Sequence, residues 1–313
     1  MPIEAPKLVT SIEKTNSEKS PLFIEKVLTP EVITQLSKEI VQVTGVNKGS
    51  SENEWREKLK GSEDLVEAVF TLPTIFDAEC TLENIKKALE QNNSLNQSEK
   101  NTLRDSKIVA LQDLAESLGR LSKYLIDNCF AEKELEIFWK IYETYSIEKD
   151  MFPTFEGIRA GIIGQSASYH LIKSLGLNCS LAHPDEDAFQ GTDFIISNSG
   201  RAPDIGRLQV KHKHESARVE MINVKSYDPT FAVETELDTA NGRHLAHIAP
   251  DESLTNLKNS CSPDEFAFYL ELPDKNPDGS LAINNISGIP SETLVKNFKV
   301  ESDIAFKNIF VLQ

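Results

Sequence analysis

A chain of 313 residues with 39% apolar content is long enough for one large domain or two, and apolar enough to bury a real core. Its formal charge of −16 excludes a protein that coats nucleic acid without specificity, because each phosphate contact needs a cation. No run of eighteen apolar residues occurs and the first twenty residues lack an apolar leader, so the expected setting is cytoplasmic and away from the membrane.

Residues 1 to 29 are polar and irregular, with one short apolar patch at Leu22-Phe23-Ile24. From Pro30 to about Asp150 the pattern is helical. Thr29-Pro30-Glu31 offers a cap followed by a proline in the first turn, and Thr81 with Glu83 marks a second start. The longest helix is expected over Ser106–Cys129, where leucines at 111, 114, 118, 121 and 125 make a seam for another helix, either inside a bundle or between molecules. Phe138, Trp139, Tyr142 and Tyr145 follow at helical spacing, which favours core packing over stacking on bases. Residues 1 to 150 hold 27 acids against 19 bases, a face that either keeps the protein in solution or meets a protein partner. Cys80, Cys129, Cys179 and Cys261 stand far apart, with no CxxC and no histidine at ligand spacing, and read as reduced apolar residues.

Met151-Phe152-Pro153-Thr154 breaks the helical run, dividing a helical domain at 1–150 from a second domain at 151–313. A helix carrying Ile158, Ile162, Tyr169, Ile172 and Leu175 on one side then stops at Gly176. A short strand and an acidic loop, Pro184-Asp185-Glu186-Asp187, lead to Thr192-Asp193-Phe194-Ile195-Ile196, whose period of two sets Asp193 opposite to Phe194 and Ile196. In Arg207-Leu208-Gln209-Val210-Lys211 the same period sends Leu208 and Val210 inward and leaves Gln209 and Lys211 together. Sixteen residues separate Asp193 from Gln209, room for strand, turn and returning strand, so a carboxylate, an amide oxygen and an ammonium can meet at one point. That set suits a hard divalent cation and a water beside a phosphate.

Helix, Asp, then (Asp/Glu/Gln)-x-Lys on the next strand resembles the PD-(D/E)XK, or restriction-endonuclease-like, nuclease superfamily. Gln209-Val210-Lys211-His212 is similar to the QxK variants of Mrr-like restriction nucleases and of nuclease domains in bacterial antiphage effectors. The resemblance covers roughly residues 155 to 226, about a quarter of the chain. It implies an α+β fold, with the helical region followed by a mixed sheet flanked by helices, and a Mg-dependent (or Mn-dependent) DNA endonuclease of a restriction or antiphage defence system. Asp193, Gln209, Lys211 and Gln165 would be catalytic, with Asp193 and Gln209 on the metal. Lys213, His212, Arg207 and Lys225 would bind DNA, residues 201 to 226 holding six bases against three acids. The family's usual helical glutamate is Gln165 here. Glu156, nine residues away at about 100° each, lies on the opposite side of the helix, so only one of the two can face the site.

A second Val-Lys pair, Asn223-Val224-Lys225, competes with Gln209-Val210-Lys211 as the motif strand, and spacing favours the first. The strand Ala217–Ser226 is then expected on the far side of Arg207–Lys213, with Asp193 across the near side. Residues 227 to 262 are polar and irregular, with Arg243, His244 and His247 in a loop. Glu265–Leu272 reads as a strand, Asn276–Gly279 as a turn, Leu281–Ile286 as the returning strand, Pro290–Phe298 as a short helix and Ile309–Leu312 as a last strand. Two functions fit: the metal-dependent nuclease, acting alone or as a homodimer, and a weakened nuclease fold that binds nucleic acid or a protein partner. The two glutamines in carboxylate positions are the feature behind the second, but one carboxylate with substrate phosphates suffices for Mg²⁺, and the nuclease is the preferred reading.

Overall fold

The computed structural model describes residues 28–43, 47–91, 95–197, 205–213, 218–224, 257–262 and 265–306, with Gln91, Ile205 and Lys213 given by backbone alone. Helix α1, Pro30–Val41, begins at the expected cap, where the Thr29 hydroxyl accepts from the Val32 N–H at 3.4 Å. Helix α2, Lys48–Lys58, buries Trp55. No helix starts at Thr81, contrary to expectation. Helix α3 runs unbroken over Glu63–Gln91 with Pro73 inside it, and the Thr81 hydroxyl donates to the Asp77 carbonyl. Burial of Phe70, Leu72 and Ile75 around the proline offsets the hydrogen bond it removes.

The leucine seam lies on helix α4, Gln97–Asp127, which starts nine residues before the expected Ser106. Asn96 accepts from the Glu99 N–H at 3.0 Å while the Glu99 carboxylate accepts from the Asn96 N–H at 2.8 Å, a reciprocal cap that supports the extra turns. Leu121 and Leu125 are fully buried and α4 packs chiefly on α3, so the seam serves the bundle. Helix α5, Glu132–Glu148, places Phe138, Trp139, Tyr142 and Tyr145 in the core, with Phe138 and Trp139 ring centroids 4.9 Å apart.

Asp150 takes a left-handed φ of 55° as the chain turns into helix α6, Phe152–Ser174. The core does not stop at this turn: one buried cluster runs from Leu36 and Phe138 through Phe155 to Leu208 and Phe268. Tyr142 donates to the Phe155 carbonyl and Trp139 to the Ile286 carbonyl, each at 2.7 Å. Gly176 closes α6 with φ of 75°.

Five strands follow: β1 (Asn178–Leu181), β2 (Phe194–Ser197), β3 (Ile205–Lys213), β4 (Glu220–Asn223) and β5 (Phe266–Pro273), with helix α7 (Pro184–Gln190) between β1 and β2 and helix α8 (Glu292–Ala305) after β5. The spatial order is β1-β2-β3-β5-β4. β2 pairs antiparallel with β1 and β3, with Phe194 opposite Leu208; β3 and β5 run parallel; β4 pairs antiparallel with β5. The fold is therefore α+β with a mixed sheet.

Two expectations fail here. The Ala217–Ser226 strand does not flank β3, because β5 enters between them. Nearly every β5 residue is buried, which requires a neighbour on each edge, whereas four-residue β4, with Glu220 and Asn223 half-exposed, suits the rim. Leu281–Ile286 forms only isolated bridges, Lys275 to Leu281 and Ile283 to Pro290, because the Asn276 amide ties Ser280, Leu281 and Ser291 into a loop. Ile309–Leu312, Lys225 and the loop histidines lie outside the described residues. All four cysteines are free thiols, and burial pushes Cys179 up to about 12. Among the described residues no helix is long and apolar enough to cross a membrane.

Candidate functional site

The period of two along β3 sorts its side chains as the sequence requires. Leu208 and Val210 join the large core beneath α6, while Tyr269, the lateral partner of Gln209, belongs to the small cluster on the opposite face. Lys211 stands beside Glu271 on that second face. Asp193 immediately precedes β2, fixed by its own backbone: its N–H donates to the Leu208 carbonyl and its carbonyl accepts from the Ala182 N–H, both at 2.9 Å.

Three elements converge on the Asp193 carboxylate. Oδ2 accepts from the Val210 N–H at 2.7 Å, and Oδ1 accepts from Gln165 Nε2, on α6, at 2.6 Å. Gln165 Oε1 in turn accepts from the Ser122 hydroxyl on α4. Glu156 is exposed and lies 3.7 Å from Arg159, so it is Gln165 that meets Asp193. Helix α7 brings a second acid. Burial pushes the Asp193 carboxyl above the usual range, against the Val210 N–H, the Gln165 amide and the Lys211 ammonium, which pull it down. Burial, and then the neighbouring Asp193 charge, push Asp187 up to about 8, with Lys211 opposing.

Gln209 is 6% exposed, and its Oε1 is buried with no hydrogen-bond partner among the described residues. A buried acceptor left unmatched costs roughly 1–3 kcal/mol unless something donates or coordinates to it. An amide oxygen belongs to the donor class that Mg²⁺ prefers, and Lys211, two positions further along β3, acts on the charges of both Asp193 and Asp187. The set is small: no cluster of three or more His, Cys, Asp or Glu residues able to hold a metal ion exists among the described residues.

Two residues expected at DNA serve the interior. Arg207, 13% exposed at its side chain, donates to Glu186 at 2.9 Å, Gln190 at 3.0 Å and Glu265 at 3.1 Å, stapling α7 to the approach of β5. His212 points under α6, with Nδ1 3.0 Å from the Ala160 carbonyl and Nε2 2.6 Å from Asp274. The helix comes this close because position 164 is glycine, where a Cβ would sit 3.0 Å from that of His212. Neither side chain is free for phosphate. The Lys213 side chain and Lys225 fall outside the described residues. Arg207→Ala should lower stability by about 2–4 kcal/mol, since it leaves Glu186 and Glu265 without their cation. Thermal melts of the variant check this, and a melting temperature unchanged from wild type counts against the staple.

The sequence reading treated residues 184–187 as a loop and so missed Asp187. The signal was present: Pro184 opens the helix, Glu186 returns to the His183 N–H at 3.0 Å, and Gly191 ends it with φ of 64°. Ser122 lies 43 residues from Gln165 and left no local trace. Comparison of the chain with family models, with curated proteins and with solved structures gave no match in any of the three.

Proposed function

We propose that this protein is a metal-dependent nuclease that hydrolyses phosphodiester bonds, with DNA as substrate in a restriction or antiphage defence setting. The observation that carries the reading is the buried oxygen of Gln209, without a hydrogen-bond partner among the described residues, two positions along β3 from Lys211, whose charge acts on both Asp193 and Asp187. The mixed sheet flanked by helices agrees with the fold that the Asp193 and Gln209-Val210-Lys211 motif implies. Asp193 and Gln209 would hold Mg²⁺ or Mn²⁺, with Asp187 adding charge. Such an ion, when bound, polarises a phosphoryl oxygen and acidifies a water. Lys211 neutralises charge growing on the scissile phosphate, Gln209 orients the attacking water, and Gln165 keeps the Asp193 carboxylate turned toward β3.

A second reading, the weakened fold that binds nucleic acid or protein, draws on a different observation. Gln165 offers Asp193 its N–H rather than an oxygen, so α6 contributes no metal ligand in this arrangement. Incubation of the protein with plasmid DNA separates the two. Cleavage with Mg²⁺ or Mn²⁺ that stops in EDTA supports the nuclease; retention of DNA without cleavage under any divalent ion supports the binding module.

A pH dependence follows from Asp187. Its carboxyl ionises near 4 when the chain is unfolded and near 8 when folded, so between those values the folded state holds a proton that the unfolded state has lost. Stability of the metal-free protein should therefore fall as pH rises from about 4 to about 8, by at most about 1.4 kcal/mol per pH unit for one proton. Mn²⁺ should oppose the fall, and Asp187→Asn should flatten it. A melting temperature that climbs across this window contradicts the assignment.

A further inference from the structure

We propose that Ser122 is a positioning residue for the site, holding the Gln165 side chain against Asp193 through a hydrogen bond to its amide oxygen. A glutamine side chain turns about several single bonds, so one hydrogen bond does not hold its amide in a single place. Gln165 Nε2 donates to Asp193 Oδ1 at 2.6 Å. That leaves Oε1 facing α4, where the Ser122 hydroxyl supplies its proton. Ser122 is 0% exposed, so no bulk water replaces it.

A helical serine can turn its hydroxyl to a backbone carbonyl of the preceding turn, as Ser168 does to Gly164 at 2.9 Å on α6. Ser122 instead spends its proton across the interface between two helices. Helix α4 makes a second polar contact on the other side of the site, where Gln112 Nε2 donates to Asp185 of α7 at 2.8 Å. One helix of the N-terminal region thus holds both α6 and α7, the elements that carry Gln165 and Asp187. Among the described residues, the charged groups that act on Asp193 are Asp187 of α7 and Lys211 of β3.

Ser122→Ala removes one oxygen at a helical position where alanine is the better helix former. Gln165 Oε1 then has no donor, and the amide is held by its contact with Asp193 alone. In ¹⁵N-labelled full-length protein the Gln165 side-chain amide, assigned by its loss in Gln165→Met, should show one proton displaced from those of the other glutamines and slow to exchange with solvent. In Ser122→Ala that displacement should vanish and exchange should quicken by about five- to tenfold. Ser122→Cys, a weaker donor of similar shape, should fall between, and it carries the test if the alanine variant does not fold. A folded alanine or cysteine variant with an unchanged Gln165 signature overturns the proposal.

The consequence for turnover rests on the nuclease reading. With plasmid and Mg²⁺, Ser122→Ala should lower kcat by about tenfold or more at unchanged KM, the usual scale for a group that orients a metal-site residue. A loss confined to KM overturns the role in turnover. If the wild-type protein cuts no DNA, the nuclease reading falls, and the amide signature alone decides whether Ser122 orients Gln165.

Discussion

Asp193→Asn should abolish divalent-dependent cleavage and at the same time raise the melting temperature of the metal-free protein. The loss of activity follows from charge: Asp193 is the acid at which β3, α6 and α4 converge, and an amide there brings no formal charge to a divalent ion. The expected fall is on the order of a thousandfold, the scale of removing a preorganised polar group from a hydrolytic centre. The gain in stability follows from the same surroundings. Burial and the Asp187 charge make an ionised Asp193 costly, while an asparagine keeps every partner: its oxygen accepts from the Val210 N–H, its NH₂ donates to a reversed Gln165, and Ser122 becomes the acceptor.

Relief of about 1 kcal/mol corresponds to roughly 2–4 °C or slightly less for a chain of this size. Asp193→Ala should lose cleavage as well, but it strands the Val210 N–H and the Gln165 amide, each costing roughly 1–3 kcal/mol, so it should melt lower than wild type. Opposite shifts in melting temperature with equal loss of cleavage identify a site that trades stability for function. Cleavage that survives in Asp193→Asn, or in excess EDTA, removes the mechanism.

How far this site was legible depended on how local each contact is. Phe194 and Ile196 pointing inward, Leu208 and Val210 beneath α6, and the end of α6 at Gly176 all follow from period and from a single residue type, information carried within a few positions. Phe194 and Leu208 lie opposite one another because β2 and β3 are consecutive antiparallel strands, and such a pairing is short-range. The insertion of β5 between β3 and β4 was not legible. Which strand fills an edge is decided by burial of both faces of Phe266–Pro273, more than forty residues after β4.

Arg207 and His212 were misread for a related reason. A basic residue on a strand looks the same in sequence whether it meets a phosphate or an acid from elsewhere, and Glu265 stands 58 residues from Arg207. Their removal from the DNA-facing set also shrinks the basic island. Of the five bases assigned to the site or to DNA, Arg207, Lys211, His212, Lys213 and Lys225, Lys211 is the one with a described side chain near Asp193.

Lys211→Ala should accordingly do more than a single lost phosphate contact. Cleavage should drop by about two to three orders of magnitude, because in the proposed reaction the ammonium balances charge on the phosphate in the transition state. Binding to DNA should persist but weaken, with the slope of log affinity against log salt smaller by about 0.9, the signature of one phosphate contact removed. The metal-free protein should also be less stable at pH 8, where Lys211 is the cation that offsets the negative charge of Asp187 and Asp193. With Lys211 half-exposed, solvent screens much of that interaction, and the expected loss is about 1–2 kcal/mol.

The double substitution Lys211→Ala, Asp187→Asn then separates the two roles. Removing one of the paired acids should recover the melting temperature while leaving cleavage abolished, because the repulsion is gone but the phosphate still lacks its cation. If the double variant regains cleavage, Lys211 acts only through Asp187 and is a structural counter-ion. If Lys211→Ala alone cleaves as wild type does, the lysine lies outside the chemistry, and the pairing of Asp193 with the Gln209-Val210-Lys211 strand has been given the wrong role.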